Sequence, residues 1–188
     1  DDYQKHYRAS QDSGEERKVR LTNFCNGNDF IKPFYSNHTF EVDFLMNKNS
    51  HEFVHCLDKI YSRPADKTKV IEKLQDDSVD VAGVEVLRIA NKVGKGWLAL
   101  LVSEQLVYNT YIPKYILKAI AFSSAHINLS SKVKAVIYRL KSIRSNEKDI
   151  LCNAAKKFDV RGKTQQELLD AFMKEFKDDQ LNKFLALL

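Results

Sequence analysis

The sequence is poor in cysteine, and its three, Cys25, Cys56 and Cys152, are widely spaced with no CxxC pair. That excludes a dense disulfide framework and a paired-cysteine zinc or redox site, so reduced, partly buried thiols are expected. Long apolar runs are also missing. The longest, Trp97 to Val102, falls far short of the roughly 20 residues that a membrane-spanning helix needs. No basic-then-apolar leader opens the chain, and the expected location is the cytoplasm with no membrane partner. There is no initiating Met either. Asp1-Asp2 runs straight into a polar stretch, and the reading is a fragment of a longer protein. Internal repeats and low-complexity segments are absent.

What is present is enough to fold. The 188 residues are 44% hydrophobic and 29% charged, which supports one substantial core or two small ones. The net charge of +5 is unevenly spread, with ten Lys/Arg against three Asp/Glu in residues 130–163. A basic segment of this kind can face phosphate.

Alternation predicts two strands. One covers residues 19–24. The other covers 39–45, with Phe40, Val42 and Phe44 on one face and Thr39, Glu41 and Asp43 on the other. On such a strand the two carboxylates of Glu41 and Asp43 point the same way. Residues 3–17 read as a helix, or as a loop followed by a helix, and 26–28 as a turn. The rest reads as helices: 51–61 with Ser50 as cap, 66–75 after the Pro64 break, 79–93, 97–108, and 114–122 with Pro113 at its first turn. A helix capped by Asn128 or Ser130 follows, with Val133, Val136, Ile137, Leu140 and Ile143 on one face. The last three patterns are 147–158, 164–176 and 180–188. A soft boundary at 123–126 divides a first domain, 1–124, from a C-terminal helical subdomain, 125–188.

Three blocks in fixed order carry a family resemblance. They are the acidic start Asp1-Asp2; the stretch Asn37-His38-Thr39-Phe40-Glu41-Val42-Asp43-Phe44-Leu45; and Gly94-Lys95-Gly96-Trp97-Leu98-Ala99 followed by Ile112-Pro113-Lys114-Tyr115-Ile116. Together they resemble the C-terminal half of the TOPRIM nuclease region of the overcoming-lysogenization-defect (OLD) family, to which the Gabija-type anti-phage nuclease subunit is related. The resemblance implies an α/β, predominantly helical fold: the later part of a TOPRIM-like sheet with a helical insert, followed by the helical subdomain. It also implies a divalent-metal-dependent DNA endonuclease of bacterial anti-phage defence, using Mg²⁺ or Mn²⁺. Asp1, Asp2, Glu41 and Asp43 are then the metal ligands, Asp2 the best match to the DxD position and Asp43 the weaker one. Glu41 and Lys95 are the catalytic residues. Implied partners are DNA, the N-terminal ATPase and first TOPRIM half of the parent protein, a second copy in a homo-oligomer, and a helicase-type protein.

The chemistry agrees with those residue types. Divalent cations take carboxylate oxygens and assist phosphodiester hydrolysis, and a nearby lysine stabilises developing negative charge. Two departures stand beside the match. The chain begins after the first acidic strand of the family core, and no phosphate-binding loop is present: a Walker A motif needs glycine where Ile89 stands and Ser or Thr where Gly96 stands. The isolated fragment is therefore expected to be inactive or nearly so.

Two rival readings remain open. His51-Glu52-Phe53-Val54-His55 matches HExxH, which on a helix offers two imidazoles to zinc and a glutamate to the metal-bound water. Such a zinc hydrolase needs a third ligand, for which Glu72 and Glu85 are candidates. The other rival is a non-catalytic helical module that binds nucleic acid or a partner through Lys132, Lys134, Arg139, Lys141 and Arg144. In the nuclease reading these same residues contact the DNA backbone.

Overall fold

A computed structural model describes residues 2–124 and 126–188, with 2–13 traced as helix backbone only. Among the described residues there is no strand and no sheet. The α/β expectation, with its TOPRIM-like sheet, is thereby overturned: the regular structure of the described residues is entirely helical.

Both expected strands are helix. Residues 19–24 lie inside α1 (Asp2–Cys25), and residues 40–46 form α2 (Phe40–Met46). For the second, burial shows which period won. Val42, Phe44 and Leu45 are buried while Phe40 is 51% exposed, whereas a strand would have buried Phe40 and turned Leu45 outward. Seven residues are too few to separate a period of 2 from one of 3.6, and tertiary packing decided. A second consequence concerns Glu41 and Asp43. Two residues apart on a helix they point away from each other, not together.

The chain divides into two compact units, residues 1–116 and 117–188. The first contains α1, α2, α3 (Ser50–Cys56) running into a single 3₁₀ turn at Leu57–Lys59, α4 (Pro64–Leu74), a π-helical turn (Val79–Gly83), α5 (Val84–Val93) and α6 (Lys95–Ser103). Its core joins Val42, Leu45, Phe53, Leu57, Leu74, Val86, Ile89 and Leu98. α2 packs on the π turn and on α5, while α3 packs on α4 and α6. Gly83 permits a close approach here, since a Cβ at this position would sit 3.1 Å from Val42 Cγ1.

Asn49 supplies the main polar fastening of this unit. It precedes α3 but does not cap it. Its buried amide instead donates from Nδ2 to the carbonyls of Phe44 (2.9 Å) and Tyr111 (2.7 Å), and its Oδ1 accepts the Tyr111 N–H (2.8 Å). The long connection after α6 is thus held against the α2–α3 corner, where it delivers Pro113 and the start of α7 (Lys114–Ser123).

The second unit holds α8 (Leu129–Arg144), α9 (Cys152–Lys157), α10 (Gln165–Glu175) and α11 (Gln180–Leu185). α8 packs against the other three. Val133, Val136, Leu140 and Ile143 form its buried face, meeting Phe158, Leu169, Phe172 and Phe176. Phe172 and Phe176 stack at 4.9 Å, and Phe158 meets Phe176 edge-on at 5.5 Å. The sequence marks three of the four helix starts. Asn128 caps α8 by accepting from Ser131 N–H, Thr164 and Glu167 form a capping box on α10, and Asp179 caps α11 through Leu181 N–H.

Candidate functional site

Two short elements of the first unit meet: the entry to α2 and the N-terminus of α6. Lys95 is the first residue of α6, launched from Gly94 at φ 87° and ψ 135°, a conformation open essentially to glycine alone. Its ammonium lies 3.9 Å from Glu41 Oε1, the side chains being 58% and 17% exposed respectively. Two residues far apart in sequence, chosen as catalytic from their motif positions, thus form an ion pair.

Asp43 behaves differently from Glu41. Its Oδ2 accepts the Asn37 N–H at 2.8 Å, and its Oδ1 accepts the His38 N–H at 3.1 Å and faces His38 Nδ1 at 2.9 Å. The carboxylate thereby folds the preceding loop back onto α2. Its role is to position the segment that ends in Thr39 and Glu41.

Two further groups complete the cluster. The phenol of Tyr115 is held above its ordinary pKa by burial and then by the negative charges of Asp43 and Glu41, which places it within their field. Thr39 Oγ1 is buried with no hydrogen-bond partner among the described residues. From the sequence Tyr115 reads as a packing residue and Thr39 only as part of a motif block. Both lie inside the quoted motif blocks, but no spacing rule joins them to Glu41.

Gly96 adds a different kind of observation. Nothing lies within 4 Å of where its Cβ would be, and its φ is not positive. The fold does not require glycine at this first turn, although a helix N-terminus approached closely by an anion would benefit from one.

Asp1 lies outside the described residues, and so does the side chain of Asp2. Among the described residues no group of three His, Cys, Asp or Glu side chains stands ready to hold a metal. Glu41 is the carboxylate suited to a hard cation. One or two carboxylates with waters and substrate oxygens are the usual protein share for Mg²⁺, and the donor set here fits that pattern in part.

The HExxH residues separate into two environments. His51 and His55 are exposed and meet at 2.7 Å through their Nε2 atoms. Glu52 is buried, with Oε1 accepting from the Thr110 hydroxyl at 2.8 Å. Glu85, one suggested third ligand, is buried against Lys73 (3.1 Å) and Arg88 (2.5 Å). The histidines form a pair, but the glutamate is tied to the fold.

The basic helix also divides. Arg139 donates Nε and Nη2 to Asp179 Oδ2 at 2.9 and 2.8 Å, joining α8 to the cap of α11. Arg144 donates Nε to Ala155 O and Nη2 to Phe158 O, both at 2.7 Å, which satisfies the open carbonyls at the end of α9. Both guanidiniums are engaged within the unit. Lys134 and Lys141 are exposed and Lys132 partly so.

No helix among the described residues is long and apolar enough to cross a membrane. Comparison of the chain with protein-family models, with curated proteins and with solved structures returns no match.

Proposed function

We propose that this chain is part of a metal-dependent DNA endonuclease of the OLD kind, contributing one acidic metal ligand and one phosphate-stabilising lysine to a site that other parts of the parent protein complete. The observation that supports this reading is the Glu41–Lys95 pair at 3.9 Å. Motif position nominated these two residues, and they stand together at the N-terminus of a helix. The sheet that accompanied the resemblance is not part of the proposal.

The chemistry assigned to the residues is simple. Glu41 would hold a Mg²⁺ or Mn²⁺ ion, which supplies Lewis acidity toward a phosphoryl oxygen when bound. Lys95, flexible and largely exposed, turns from Glu41 to the phosphate or leaving oxygen and stabilises charge developing there. The free N–H groups at the start of α6 point at the same anion. Asp43 and His38 keep the α2 entry in place. Cytoplasmic location, an ATPase partner and homo-oligomerisation belong to the same reading.

The zinc-hydrolase alternative is weaker because Glu52 is bound to Thr110, away from any water the histidines would present. The test is nicking of supercoiled plasmid with Mg²⁺ or Mn²⁺ by the full-length parent. Glu41→Gln and Lys95→Ala should each lower the rate by about 10²–10³-fold, while His51→Ala/His55→Ala leaves it unchanged. The Glu41–Lys95 pair is partly exposed and worth at most about 1 kcal/mol to the fold, so unaltered thermal melting separates lost chemistry from lost structure. Full activity in both single variants would overturn the proposal.

A further inference from the structure

Sixteen residues of α8 carry five basic side chains and no acidic one. Surface helices ordinarily interleave charge signs one turn apart, where opposite charges support each other. With Arg139 and Arg144 engaged inside the unit, the remaining charge is concentrated on the outer face. Lys134, Tyr138 and Lys141 fall at i, i+4 and i+7, one stripe of the helix. The stripe lies away from Val133, Val136, Leu140 and Ile143, which face the core. Both lysines are exposed, and no carboxylate lies within ion-pair distance of either among the described residues. Tyr138 is 75% exposed, and its phenol has no hydrogen-bond partner among the described residues. Ile137 beside it is also exposed.

We infer that this stripe is a seat for single-stranded nucleic acid, with Tyr138 stacking on an unpaired base and Lys134 and Lys141 holding the phosphates on either side. The choice of partner rests on the nuclease reading, and the physics narrows it to a single strand. An aromatic ring between two cations offers stacking and charge together, and only an unpaired base has a face free to stack. A duplex, its bases already stacked, would be held through phosphates alone and would leave Tyr138 idle. The two lysines are separated by about 10 Å along the helix axis, from a rise of about 1.5 Å per residue, within reach of neighbouring phosphates of a flexible strand. Tyr138 lacks any motif signal, and only its exposure between the lysines marks it.

The test is fluorescence anisotropy with the full chain, in EDTA, against a labelled oligodeoxythymidylate and a labelled duplex. Tyr138→Ala should weaken oligothymidylate binding about tenfold and leave duplex binding unchanged, with Tyr138→Phe retaining wild-type affinity. Lys134→Ala/Lys141→Ala should reduce the slope of log K against log salt by about 1.4 for the single strand. Loss of both ligands alike in Tyr138→Ala, no loss of either, or tighter binding of polyglutamate than of oligothymidylate would each overturn the inference. Glu41→Gln serves as the internal control. Unchanged strand binding by that variant, together with plasmid nicking that Glu41→Gln does not slow, would count against the nuclease proposal alone.

Discussion

Asn49 and Tyr111 exchange hydrogen bonds in both directions, side-chain amide to backbone, at 2.7 and 2.8 Å. A fully buried asparagine here does what a second strand would do, satisfying the N–H and C=O of an otherwise irregular connection.

Replacing that residue exposes the cost. Asn49→Ala should lower stability by about 3 kcal/mol, because buried backbone groups lose their partners at about 1–3 kcal/mol each. Urea denaturation monitored by circular dichroism measures it. Because the same connection leads to Tyr115 and α7, plasmid nicking by the parent should fall with it. A loss under about 1 kcal/mol would mean that water replaces the amide.

The two glycines flanking Lys95 should respond in opposite ways. Gly94→Ala forces alanine into φ 87° and ψ 135°, which costs about 1–3 kcal/mol. Gly96 has open space around its missing Cβ and an ordinary φ, so Gly96→Ala should raise stability by about 0.5–1 kcal/mol. On the nuclease reading the more stable variant should nonetheless cut plasmid more slowly, since a methyl group there crowds an approaching phosphate. Thermal melts beside nicking rates resolve the two effects.

Arg139 should behave as a structural residue. Its partner Asp179 is fully buried, and breaking a buried pair on one side costs about 3–5 kcal/mol. Arg139→Ala should therefore shift the unfolding midpoint strongly, whereas Lys134→Ala on the outer face should stay within about 0.5 kcal/mol of wild type. Arg139→Met with Asp179→Leu should recover much of the loss, less about 1 kcal/mol for the α11 cap that Asp179 also provides.

Alkaline pH should weaken the first unit through one thiol. Burial pushes Cys56 from 9.0 up to about 11, with Lys59 pulling the other way and Glu104 adding to the rise. The native thiol therefore keeps a proton that the unfolded chain releases, and stability declines as pH climbs from about 9 toward 11. Below pH 9 both states hold the proton and the group is silent. Cys56→Ala should flatten this part of the urea midpoint against pH relative to wild type.

The helices at 114–122 and 164–176 and the one begun by Asn128 were legible, because caps and breakers write their limits into the chain, whereas 97–108 ends early at Ser103, 147–158 starts late at Cys152 and 180–188 ends at Leu185. The π turn at 79–83 was not visible, since its apolar pattern reads on into α5 as one α-helix. Residues 19–24 and 40–46 misled for a common reason. Each is a short apolar alternation that fits a strand as well as a helix, and the deciding contacts lie far away in sequence. Of the candidate site, Glu41 and Lys95 were nominated by motif position, and the fold brings them together. Arg139 and Arg144 read as surface charge because a spacing pattern cannot reveal that Asp179, Ala155 and Phe158 lie within their reach. Tyr115 and Thr39 carry no spacing signal, and Tyr138 shares a helical stripe with Lys134 and Lys141 that only its exposure sets apart.

A Cβ on Gly83 would meet Val42 Cγ1 at 3.1 Å and Val79 Cγ2 at 3.2 Å, so a methyl group there would press on both valines at once, each of which would have to give by a few tenths of an ångström. Gly83→Ala should therefore cost less in a Val42→Ala background than in wild type, and the difference between those two costs, read from urea midpoints, measures how tightly the π turn seats α2.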